Sequence, residues 1–139
     1  MPTYFTDRDL GRRFPELLRA AGRTVHASHE IFAPNTPDAE WIAEVSKRGW
    51  VAITHDGRIR YKPNEQAAVR AAGLSLLVLV GNATTTELAE NFLRTRARIE
   101  RFIDRNAPPF IAAVLRPSPA DLARRPNAAG RVELRWPKP

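Results

Sequence analysis

Short apolar runs alternate along the chain with segments whose apolar residues recur every three to four positions. That alternation predicts an α/β architecture, a mainly parallel sheet of about five strands wrapped by helices. Thr3 to Thr6 reads as the first strand, and Leu10, Phe14, Leu17, Leu18 and Ala21 follow at helical spacing until Gly22. Thr24 to His26 gives a second strand, and the stretch from His29 to Asn35 reads as irregular. Thr36 is placed as a helix N-cap with Pro37 in the first turn, opening a helix that carries Trp41, Ile42 and Val45 up to Gly49. Trp50 to Thr54 is the third strand, and a helix over Glu65 to Ala72 leads through Gly73 into a buried-type strand, Leu74 to Val80.

Thr84 to Thr86 then cap one long helix with Leu88, Phe92, Ile99 and Ile103 on a single face, a face suited equally to the core or to a homodimer contact. Ile111 to Leu115 is the fifth strand, stopped by Pro117 and Pro119. Residues 116–139 are basic and proline-punctuated, with a last strand at Val132 to Trp136; they read as an edge hairpin or a partner-binding extension. No repeat or linker divides the chain, so 1–139 is expected to be one domain.

Composition narrows the chemistry. The 139 residues contain no cysteine, which removes thiolate metal sites, thiol catalysis and disulfides, and makes the cytoplasm the expected location. The longest apolar run is too short to span a bilayer, and no secretory leader pattern is visible, so no membrane partner is expected. There are 22 Lys and Arg against 15 Asp and Glu, a net charge of +7 that suits a polyanionic partner such as nucleic acid.

Against that basic background, carboxylates collect at three stations: Asp7 and Asp9 after the first strand, Asp38 and Glu40 in the opening turn of a helix, and Asp56 after the third strand. Ligands of parallel sheets gather at the carboxyl ends of strands. A crossover helix runs antiparallel to its strands, so Asp38 is expected at the same edge. A cluster of ionised carboxylates calls for a hard divalent cation with oxygen ligands, Mg²⁺ or Mn²⁺. Arg58, Arg60 and Lys62 follow at alternate positions, a comb for phosphates or a solvated charged strand. Each station has a plainer reading: Asp7 or Asp9 capping the next helix, Asp38 favoured by the helix dipole, Asp56 in an Asp-Gly turn. Their convergence on one edge is what favours a site. His26, His29 and His55 form no ligand spacing, and no nucleophile triad is present.

Phe5-Thr6-Asp7, Asp38-Ala39-Glu40-Trp41-Ile42 and Ile53-Thr54-His55-Asp56 resemble the PIN-like ribonucleases, most closely the toxins of VapBC-type toxin–antitoxin modules. The resemblance implies a three-layer PIN-like fold and Mg²⁺- or Mn²⁺-dependent hydrolysis of RNA, with a small antitoxin protein as partner. It assigns catalysis to Asp7, Asp38 and Asp56, metal binding to these three and Glu40, and supporting roles to Thr54 and Asp9. Such proteins add a fourth acid after the next strand, where this chain has Asn82, with Glu87 a few residues on. Two other readings remain open. One is a catalytically weak PIN-like module that binds nucleic acid or protein. The other is a receiver-like phosphoacceptor domain, which would want a lysine where Arg116 precedes Pro117.

Overall fold

The structure, a computed structural model, describes residues 1–55 and 63–138. Six strands form one sheet: β1 (Thr3–Thr6), β2 (Thr24–Ala27), β3 (Val51–Thr54), β4 (Ser75–Leu79), β5 (Phe110–Leu115) and β6 (Arg131–Trp136). The spatial order is β2-β1-β3-β4-β5-β6, parallel throughout except that β6 runs antiparallel to β5. The helices are α1 (Arg13–Ala20), α2 (Ser28–Ile31), α3 (Asp38–Lys47), α4 (Pro63–Ala72), α5 (Thr85–Arg94), α6 (Arg96–Arg105) and α7 (Pro119–Arg124).

Alternation along the strands sorts the core into two faces. Leu77 and Leu79 of β4 join Tyr4, Phe14, Leu18, Phe92 and Ile99 on the face covered by α1, α5 and α6. Leu76 and Val78 point the other way, to Phe5, Trp41, Ile42, Val45 and Val69 beneath α3 and α4. Burying each such side chain stabilises the fold by about 1.5–3 kcal/mol. Leu88, Phe92 and Ile99 are buried in this core, and the partly buried Ile103 packs against it. Among the described residues no helix is long and apolar enough to cross a membrane.

Four local expectations are corrected. The first helix does not begin at Leu10. Arg8–Leu10 form a single 3-10 turn, and Gly11, at φ 64°, redirects the chain before α1 starts at Arg13. The stretch after His29 is not wholly irregular, because the Glu30 carboxylate folds back onto the Ala27 N–H (2.8 Å) and the Arg19 guanidinium and so closes the α2 turn. Thr36 is not the cap of α3: its hydroxyl donates to the Ala33 carbonyl at 2.8 Å, and the helix starts one residue later from Pro37. The long helix is two helices, parted at Thr95, whose buried hydroxyl donates to the Asn91 carbonyl (2.6 Å) and accepts from the Gly130 N–H (2.8 Å).

Candidate metal and phosphodiester site

In a sheet of this order the chain leaves β1 to one side and reaches β3 by crossing back on the other, so a crevice opens between their carboxyl ends. Asp7 stands at that crevice. Its N–H donates to the Ile53 carbonyl at 2.9 Å, which extends the β1–β3 ladder by one step and fixes the position of its side chain. Asp7 Oδ1 accepts from the Arg8 N–H at 2.7 Å, the plain capping role for the 3-10 turn. Its Oδ2 is left for the crevice.

There it meets Thr54, the last residue of β3. The buried Thr54 hydroxyl lies 2.9 Å from Asp7 Oδ2 and 3.2 Å from Asp9 Oδ2, and Asp9 Oδ2 also accepts from the His55 N–H at 3.0 Å. A hydroxyl has one proton to give and cannot serve two carboxylate oxygens at once. The two acids are therefore held together with less donor capacity from Thr54 than both would use when ionised. Burial first, then the Asp9 charge and to a smaller extent Asp38, push the Asp7 carboxyl up to about 6, against hydrogen bonds from Thr54 and Arg8 that lower it.

Asp38 reaches this neighbourhood from the start of α3. Its Oδ1 accepts from the indole Nε1–H of Trp41 at 2.9 Å. Trp41 is buried and stacks on Phe5 at 5.4 Å between centroids, two residues before Asp7 on β1. One aromatic pair thus ties the helix-borne acid to the strand that carries Asp7.

Other expected residues stand elsewhere. Glu40 is exposed and lines a hollow with Phe32, Ala43, Glu44 and Lys47. Glu87 does not offer a free fourth acid: it completes the capping box of α5 with Thr84 and faces Arg116 at 3.5 Å, and these partners lower its carboxyl. Asn82, before the Thr84 cap, is exposed. Asp56, Arg58, Arg60 and Lys62 lie outside the described residues. Sequence reasoning missed two features: the indole hydrogen bond, whose only signal is the Asp38–Trp41 spacing of three, and His55 Nε2, which lies 2.9 Å from the Gly81 carbonyl and donates to it.

Among the described residues no three His, Asp or Glu side chains stand close enough to enclose a metal ion. A hydrated Mg²⁺ would need only one or two carboxylates and would keep several waters. The paired oxygens of Asp7 and Asp9 are hard donors of the right kind, and a cation between them would relieve the push on Asp7.

The PIN-like domain family matches residues 2–81, which is more than half of the chain and includes every residue of the crevice named above. The chain belongs to the PIN-like domain family. PIN-like domains are commonly nucleases, and the six-stranded, mostly parallel sheet flanked by helices agrees with their fold. No curated protein and no solved structure gives a significant match to this PIN-like chain.

Proposed function

We propose that this PIN-like chain is a Mg²⁺- or Mn²⁺-dependent endoribonuclease that hydrolyses RNA phosphodiester bonds, the toxin of a type II toxin–antitoxin pair with a small antitoxin protein as its partner. The observation that carries the nuclease reading is the pair Asp7 and Asp9 sharing the Thr54 hydroxyl at the β1–β3 crevice. The toxin role rests on the resemblance of the Phe5-Thr6-Asp7 and Ile53-Thr54-His55-Asp56 segments to such toxins.

Asp7 and Asp9 would hold the ion, with Asp38 and Asp56 as further acids of the site. When bound, a divalent ion supplies a nucleophilic water at neutral pH and neutralises charge on a phosphoryl oxygen. The protein's own part is positioning. Thr54 and the His55 N–H orient Asp9, the Arg8 N–H orients Asp7, and Trp41 orients Asp38.

Purified protein incubated with labelled RNA and Mn²⁺ should cut it, EDTA should stop the reaction, and Asp7→Asn and Asp56→Asn should each abolish it. Cleavage that survives Asp7→Asn sinks the assignment. One observation favours the second reading, a PIN-like binding module with weak catalysis: Glu87 is engaged in capping and in an ion pair rather than turned to the crevice. That reading expects RNA retention without cleavage in the same assay.

A further inference from the structure

The strongest charge pattern outside the crevice lies at the far edge of the sheet, between α6 and β6. Arg98, Arg101 and Arg105 recur on α6 at spacings of three and four, one face of a helix, about one turn or 5 Å apart. With Arg131, Phe102 and Asn106 they line a hollow of about 770 Å³. Arg98 and Arg131 also line an adjoining hollow of about 540 Å³ with Arg124 and Arg125. The two hollows share Arg98 and Arg131 in their walls and together make up an arginine-lined groove.

The acids of α6 are segregated from it. Glu100 pairs with Arg23 and Arg96 and lines a different hollow with Asp104 and Met1. Within the groove Glu133 is engaged by Arg135 at 3.4 Å and Asp121 by Arg124 at 3.2 Å. Among the described residues Arg101, Arg105, Arg125 and Arg131 have no carboxylate within 4.0 Å. Like charges gathered without counter-ions cost free energy, and a polyanion relieves that cost.

The groove is also built to keep its shape. Arg98 Nη1 donates to the Gly130 carbonyl at 2.7 Å, and Gly130 N–H donates to Thr95. A Cβ on Gly130 would stand 1.9 Å from the Leu115 carbonyl oxygen, so the strand entry is tightly seated against β5. At the carboxyl edge of the sheet, Arg116 at the end of β5 approaches Gly81, whose carbonyl takes the His55 hydrogen bond.

We infer that the α6–β6 groove is a second nucleic-acid contact, one that holds the phosphate backbone of single-stranded RNA away from the scissile bond; the inference rests on RNA being the substrate of the crevice. Guanidinium forks match phosphate oxygens in pairs. The described large apolar side chains that stand exposed are Met1 and Leu122, and neither lines the two arginine-rich hollows. A protein partner would need such anchors; a phosphate track does not.

The test is fluorescence anisotropy with labelled single-stranded RNA of about 20 nucleotides in EDTA, where cleavage cannot interfere. Arg101→Gln, Arg105→Gln and Arg131→Gln together should weaken binding at least tenfold. They should also reduce the slope of log affinity against log salt by about 2, three phosphates at about 0.7 each. The triple Lys variant should restore most of the affinity, which a folding defect would not allow. Lys47→Gln, Arg48→Gln and Arg94→Gln, removing equal charge elsewhere, should change binding less than threefold.

Equal loss in both Gln sets overturns the groove in favour of net charge alone. Tighter binding of polyglutamate than of RNA overturns it in favour of an acidic protein. Mn²⁺-dependent cleavage with unchanged binding in the groove variant overturns this inference and leaves the nuclease standing. Groove-dependent binding without cleavage upholds the groove and sinks the nuclease.

Discussion

A carboxyl that ionises near 6 is an anion the protein holds at a cost, and at Asp7 the cost has named sources: burial first, then the Asp9 charge, then Asp38. Between pH about 4 and 6 the unfolded chain gives up this proton while the folded chain keeps it. Stability therefore falls as pH rises through that window and stays lower above it. Asp7→Asn removes the charge, and its amide donates to the Thr54 oxygen, which leaves the Thr54 proton to Asp9. Urea unfolding at pH 8 should show Asp7→Asn more stable than the parent by about 2 kcal/mol, with the gain vanishing near pH 4. The same substitution should end RNA cleavage, the pattern expected where a site is strained for function. Thr54→Val keeps the shape and removes the shared donor. It should destabilise by about 1–2 kcal/mol and lower cleavage at least tenfold, with Thr54→Ser restoring both. The positions of Asp7 and Asp38 were legible in the sequence because strand and helix ends are. The shared hydroxyl was not, since nothing local links Thr54 to residues 45 and 47 positions away.

Strands and helices carry the next level of the argument. β3, β4 and β5 were visible as apolar runs because both of their faces are covered, and parallel strands buried on both sides lose polar alternation, whereas the edge strands β2 and β6 are only partly buried and keep polar residues. The corrections cluster where distant groups decide a terminus. The Thr95 break depends on Gly130, 35 residues on; the α2 turn depends on Arg19; the start of α3 depends on where the Thr36 hydroxyl points. β6 is seated through the same Thr95–Gly130 contact. Gly130→Ala, whose Cβ would meet the Leu115 carbonyl, is expected to cost at least about 2 kcal/mol and to raise hydrogen exchange along β5 and β6. A Gly130→Ala protein as stable as the parent would contradict this seating. Trp41→Phe should keep the stack on Phe5 but free Asp38 from its indole donor, lowering RNA cleavage several-fold with about 1–2 kcal/mol of stability lost.

Taken together, the chain sets an acidic crevice into a protein of net charge +7. The long-range field of such a molecule favours anions and draws polyanions, while the crevice disfavours its own anion because burial and the Asp9 charge act at short range. The divalent cation we propose would reconcile the two, giving the carboxylates a counter-charge and the RNA a point of attachment. RNA affinity should accordingly fall steeply with salt, whereas metal affinity at the crevice should fall much less. The Asp7 carboxyl carbon, followed by NMR through a pH titration with and without Mg²⁺, reads this directly. In EDTA its midpoint should lie near 6, and saturating Mg²⁺ should lower it by more than one unit. A midpoint that does not move when Mg²⁺ is added would show that no cation is held at this carboxylate, and the metal-dependent nuclease would fall with it.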